Sequence, residues 1–196
     1  RRRVAAGAPR RLRAGPPVAA DGHGERILVD GPNGAGKSLL LRLLTGVETP
    51  DAGSLRRGPS VRLGLLAQGG VDLVGAGSGL DAFRAAVGWG EAESRTLLAK
   101  FDLGADHVLR PVSSWSPGER CRLGLAILMA RGASCLVLDE PTNHLDVEAA
   151  EELERALGAF QGTLVVVSHD RAFRTAIAPT RRLELSAGRL VADEPV

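Results

Sequence analysis

The sequence has little that is aromatic: four Phe, two Trp and no Tyr, 3% of 196 residues. It holds only two cysteines, and no C-x-x-C pair, so a disulfide framework or a zinc site of that spacing is excluded. Cys121 and Cys135 sit in apolar surroundings and read as buried, reduced thiols, as expected of a cytoplasmic protein. No apolar run approaches the roughly 20 residues that a membrane span requires, so the chain is expected to be soluble, with no membrane insertion of its own. The first residues carry arginines but no apolar segment behind them, so no secretory signal is expected there. Lysine is scarce as well. Lys37 and Lys100 are the only two, and the remaining basic residues are arginines. That bias is read as compositional rather than as a mark of nucleic-acid binding.

What is present is ordinary for a globular domain. Hydrophobic residues make up 44%, enough for a real core in a chain of one-domain length. The net charge of +2 conceals an asymmetry. Six arginines lie within the first 13 residues, which leaves 19 basic against 23 acidic residues in the rest, a balance of −4. Residues 1–20, rich in Arg, Ala, Gly and Pro, read as a basic linker or leader, with a short edge strand at Arg11-Leu12-Arg13. Such a segment suits either contact with phosphate backbones or simple solvation.

The organising stretch is Gly31-Pro32-Asn33-Gly34-Ala35-Gly36-Lys37-Ser38. It satisfies G-x-x-x-x-G-K-[ST] at every fixed position, between an apolar strand at 27–29 and a leucine-rich helix from 39 to about Gly46. Glycines let the backbone turn several N–H groups toward one phosphate, and a helix N-terminus adds partial positive charge. Lys37 is placed for the β- and γ-phosphates and Ser38 for Mg²⁺. Further on, a strand at 61–67 delivers Gln68. Helices are expected at 80–87 and 91–101, then from Ser116-Pro117 to about Arg131. Leu136-Val137-Leu138 reads as a central strand ending in Asp139-Glu140. A helix at 147–160, a second central strand at 163–167 and a closing hairpin at 182–191 complete the chain. Strands alternate with helices, so the expected class is α/β with a mostly parallel sheet. An Asp at a strand end can hold the Mg²⁺ opposite Ser38, and the adjacent Glu140 can act as general base.

These motifs, in this order, resemble those of ATP-binding cassette (ABC) ATPases from about residue 20 to 191. Gly31–Ser38 resembles their phosphate loop, and Gln68 stands at the position of their glutamine loop. Trp115-Ser116-Pro117-Gly118-Glu119 resembles the LSGGQ signature. Asp139-Glu140-Pro141-Thr142-Asn143-His144-Leu145-Asp146 resembles the acidic strand end and the loop after it, and His169 in Val-Ser-His-Asp-Arg resembles the switch histidine. The Asn-His-Leu-Asp run is similar to the ABC-F branch. Those are two-cassette proteins, many of which act on ribosomes and some of which protect them from antibiotics. The resemblance implies the second cassette of an actinobacterial-type resistance member. Residues 1–20 would be the linker and 21–196 the nucleotide-binding domain, with a helical insertion at about 75–130 that carries the signature and a small antiparallel β part beside the parallel sheet.

By position, the resemblance implies that Gly31, Pro32, Asn33, Gly34, Ala35, Gly36, Lys37, Ser38 and Leu39 surround the phosphates of ATP. Ser38, Gln68 and Asp139 would serve Mg²⁺, Glu140 would be the base, and His169 would touch the γ-phosphate. Ser116, Gly118, Glu119 and Asp146 would complete the site of a second cassette across a head-to-tail interface, so one cassette alone should bind ATP and hydrolyse it poorly. The implied partners are that second cassette and the ribosome with its rRNA. A transporter motor and a non-hydrolysing regulatory module are the competing classes. Three departures stand out. Leu39 replaces a Thr, Pro117 replaces a Gly, and no aromatic precedes residue 31 to stack on adenine. His107 reads as a loop histidine, His23 as a turn residue and His144 as a shaper of its loop. Trp89 reads as local packing, and Met129 and Cys121 as core.

Overall fold

The computed structural model describes residues 24–50, 55–66, 77–143 and 145–196. Apolar runs too short for helices become strands, and those buried on both faces become the middle of a sheet. β1 (Arg26–Asp30), β3 (Cys135–Asp139) and β4 (Thr163–Val167) are of this kind. Among the described residues the sheet has six strands in the order β2-β3-β4-β1-β5-β6, with β2 at Leu63–Leu66, β5 at Arg181–Ser186 and β6 at Arg189–Pro195. β2, β3, β4, β1 and β5 run parallel, and β6 is antiparallel, paired to β5. This is the mostly parallel α/β sheet with a small antiparallel part that the sequence implied.

The two-residue period sorts the strand side chains onto two faces. Leu136, Leu138, Leu164 and Val166 join one core cluster, under α2 (Gly79–Val87), α3 (Glu91–Ala99), α4 (Pro117–Ala130) and α5 (Val147–Gly158). Val137, Val165, Val167, Ile27 and Val29 join the other, under Leu41 of α1 (Lys37–Thr45). Trp89 packs edge-to-face on Phe83, with ring centroids 6.0 Å apart, and Cys121 is core, both as read from the sequence. Burial pushes the Cys121 thiol up to about 12 and the Cys135 thiol to about 11, so both stay protonated at neutral pH.

Helix ends follow local chemistry. Gly46 closes α1 in the left-handed conformation. Ser116 caps α4 through a reciprocal Ser116–Glu119 capping box with Pro117 in the first turn, the start expected from the sequence. Three elements were not foreseen. They are α6 (Arg171–Ala176) and two 3₁₀ turns, His107–Leu109 and Val112–Ser114. Each spans fewer than two helical turns, too short to show a period. The leader, His23, Gln68 and His144 lie outside the described residues.

Candidate nucleotide site

Three neighbouring strands, β3, β4 and β1, end side by side, and the chemistry collects at their carboxyl ends. That crevice is where open parallel sheets bind ligands. The loop after β1 turns through Gly31 (φ 138), Gly34 (φ 79) and Gly36 (φ 105), all conformations that L side chains rarely adopt. Lys37 opens α1 and is 9% exposed. Its Nζ donates to Gly31 O at 2.6 Å and Pro32 O at 3.3 Å, so the ammonium lies folded within the loop.

The C-terminal hairpin braces this loop. Its two-residue turn, Ala187-Gly188, has positive φ at both positions, as tight hairpins require. Gly188 N donates to Ala35 O at 2.9 Å. A Cβ on Gly31 would run into the carbonyl of Leu185 in β5. Gly31→Ala is therefore expected to lose about 2 kcal/mol of stability from strain and collision together. Thermal unfolding reads this directly, and an unchanged melting temperature would refute the contact. Beneath the loop, Asp30 accepts from Gly31 N at 2.8 Å and pairs with Arg174 at 3.0 Å and Arg182 at 3.1 Å. Burial works against its charge, but the Gly31 N–H and the two guanidiniums prevail and hold its carboxyl below the usual value. A depressed carboxyl stabilises the fold above its unfolded-state pKa, and that contribution fades as pH falls through the lower folded-state value.

Asp139 ends β3 in register with Val167 of β4. Glu140 follows with φ 47, and its N–H donates to Val167 O at 2.9 Å. This turn aims the Glu140 carboxylate at the segment after β4. Its Oε2 accepts from His169 N at 3.2 Å, and its Oε1 lies 3.5 Å from His169 Nε2. The carboxylate is 18% exposed and the imidazole 54%, so His169 is the more open of the two.

The structure brings Asn33, Gly34, Gly36, Lys37, Ser38, Leu39, Asp139, Glu140 and His169 together around a cavity of about 540 Å³. Gly31, Pro32 and Ala35 shape the loop without lining it. Arg42, Asn143 and Val167 also line it and were not among the residues assigned from the sequence. Arg42 had a legible signal, because it follows Ser38 by four positions on α1 and so shares its face. The arrangement fits a nucleoside triphosphate with a divalent cation. It offers left-handed glycines, a helix N-terminus, a lysine, and a hydroxyl facing a carboxylate across a cavity of ligand size. Leu39 presents hydrocarbon at the position where the resemblance implied a hydroxyl.

Ser116, Gly118, Glu119 and Asp146 do not line this cavity. They gather at a second place, where α4 and α5 start side by side. Asp146 caps α5 by accepting from Ala149 N at 2.9 Å. Gly118 is buried against Ala149, where an added Cβ would approach the Ala149 Cβ to 2.5 Å. Arg122 and Glu152 join the two helices through an ion pair. His107 departs from the loop-histidine reading. Its Nε2 bonds Glu119 Oε1, and its ring meets Trp115 edge-to-face at 6.4 Å. No local pattern marks this contact, since His107 and Glu119 lie 12 residues apart across two irregular turns.

An ordered phosphate loop, an acidic strand end and a histidine just beyond the next strand, set on this sheet, define an ATPase domain of the P-loop kind. The chain belongs to the ABC transporter family, whose model matches residues 22–143. It is 46% identical over 85% of its length to the putative ATP-binding protein YdiF of Bacillus subtilis, of which it spans 26%. It is 41% identical over 74% of its length to the energy-dependent translational throttle protein EttA of Mycobacterium tuberculosis, spanning 27% of that protein. A probable ATP-binding cassette sub-family F member 3 homolog of Encephalitozoon cuniculi is 42% identical over 76% of the chain and is spanned to 26%. Within the family, these relatives place the chain in the F branch, as the Asn-His-Leu-Asp run implied. The chain thus spans about a quarter of the length of these relatives. Among solved structures, the ATP-binding cassette MJ0796, a dimer in a post-hydrolysis state with ADP and phosphate bound, has the same fold. Its TM-score is 0.71 at 20% identity, covering 88% of this chain and 85% of that one.

Proposed function

We propose that this chain is an ATP-binding and ATP-hydrolysing cassette of an ABC-F protein that works on the ribosome, as a translation factor or in antibiotic resistance by ribosomal protection. The observation that carries the ATPase part is the meeting of Lys37, Ser38, Asp139, Glu140 and His169 on one cavity. The relatives' names support the rest. EttA is named for throttling translation, and the microsporidian relative for sub-family F. No helix among the described residues is long and apolar enough to cross a membrane.

Each residue has a role in this reading. The loop N–H groups and Lys37 hold the β- and γ-phosphates, with the Lys37 ammonium leaving the Gly31 and Pro32 carbonyls to do so. Ser38 and Asp139, with Gln68, hold Mg²⁺, which when bound neutralises phosphate charge. Glu140 takes the proton of the attacking water. His169, already beside Glu140, orients the carboxylate and contacts the γ-phosphate. Ser116, Gly118, Glu119 and Asp146 serve the site of a second cassette, related head to tail.

The test is co-sedimentation with ribosomes. The two-cassette protein that contains this chain, carrying Glu140→Gln, is expected to pellet with ribosomes in ATP and to stay in solution without nucleotide. Intact ATP binding with no ribosome association would contradict the ribosomal part and favour a membrane transporter motor.

A further inference from the structure

The start of α4 poses an electrostatic problem. Ser116, Gly118 and Glu119 are proposed above to serve the site of a facing cassette; a phosphate met there by the α4 N-terminus would lie close to Glu119, which places a carboxylate in the first turn of the same helix. A helix N-terminus welcomes one negative charge, and a second within a few ångströms is repelled. The structure surrounds the carboxylate closely. Glu119 Oε2 accepts from Ser116 N at 2.6 Å. Oε1 is bonded by His107 Nε2 and by Arg110 Nη1, the latter at 3.2 Å. Arg110 is itself anchored, since its Nη2 donates to Ser114 O at 3.1 Å. Arg120, the next residue of α4, donates from Nη1 to Trp115 O at 2.5 Å. The Glu119 side chain is only 11% exposed, so these contacts act with little screening by water.

We infer that His107 and Arg110 are positioning residues for the signature turn: Arg110 offsets the charge of Glu119, His107 hydrogen-bonds it, and together they point its carboxylate into the domain, so that the α4 N-terminus can receive a phosphate from a second cassette. The inference rests on the cassette reading above and extends it to two residues outside the signature itself. Glu119 has two duties, closing the capping box through Oε2 and engaging the 107–110 turn through Oε1. Glutamine can perform the first without a charge. That difference separates electrostatics from simple structural support.

The experiment measures ATP-dependent pairing of the 196-residue chain in a Glu140→Gln background by sedimentation velocity. His107→Ala with Arg110→Ala is expected to weaken pairing about tenfold or more, the loss that follows when charge-assisted bonds are removed from a buried carboxylate. Adding Glu119→Gln to that double variant is expected to restore pairing to within about threefold of the starting protein, since glutamine keeps the capping bond and removes the charge left uncompensated. Pairing that is unaffected by the double variant, or that stays weak after Glu119→Gln, overturns the inference. A Lys37→Ala chain serves as the control. If it pairs as well in ATP as the starting protein does, or if the starting protein does not pair in ATP, the head-to-tail shared site of the proposed function fails and takes the inference with it.

Discussion

Glu140→Gln is expected to slow ATP hydrolysis by about 10²–10⁴-fold while leaving ATP binding intact, the loss typical of a missing general base. The geometry explains why the effect falls on turnover. Glu140 sits at the end of β3 in a left-handed conformation, with its N–H fixed to Val167 O at 2.9 Å. Its carboxylate is therefore positioned by backbone rather than by a mobile side chain. Glutamine keeps the volume and still accepts from His169 N, as the carboxylate does at 3.2 Å. It cannot take a proton from water. Single-turnover hydrolysis measured beside equilibrium nucleotide binding separates the two effects. Near-normal turnover contradicts the role. A parallel loss of binding would mean that Glu140 holds the loop rather than the proton.

Lys37→Ala is expected to abolish ATP binding, raising Kd by about 100-fold or more as charge-assisted bonds to phosphate are lost. Lys37 also donates to Gly31 O and Pro32 O, so its removal leaves loop carbonyls without a partner. Those carbonyls flank the loop's mouth and can turn to water, so the fold should survive. Fluorescent-nucleotide titration gives the affinity, and a thermal melt of the nucleotide-free chain tests the fold. Unchanged affinity defeats the assignment. Lys37→Arg is expected to bind weakly as well, because a guanidinium is larger than the space at 9% exposure inside the loop.

The sequence was most legible where one short signal decides the structure. Leu136-Val137-Leu138 had to be a buried parallel strand, and it lies between β2 and β4. Ser116 and Glu119 at a spacing of three specified a capping box, and both of its bonds are present. The phosphate loop was evident from its fixed positions, and most of its residues line the cavity. Contacts between distant segments were not legible. Nothing local joins Asp30 to Arg182, or the Ala187-Gly188 turn to Ala35, because those pairings exist only after β5 docks beside β1. The 3₁₀ turn that brings His107 to Glu119 has three residues and no periodicity. Arg42 was passed over because motif matching stops at Leu39, although helical geometry carries the Ser38 face one turn further.

The measurement that bears most directly on the account is the specific ATPase rate of the 196-residue chain as a function of its own concentration. If Lys37 and Glu140 of one copy work with Ser116 and Gly118 of another, the rate per molecule should rise steeply from near zero as copies pair, and apparent ATP affinity should rise with it, because ATP-dependent pairing is reciprocal. A rate per molecule that is high and independent of concentration would contradict the shared site and assign the whole reaction to the one cavity under Gly31–Ser38.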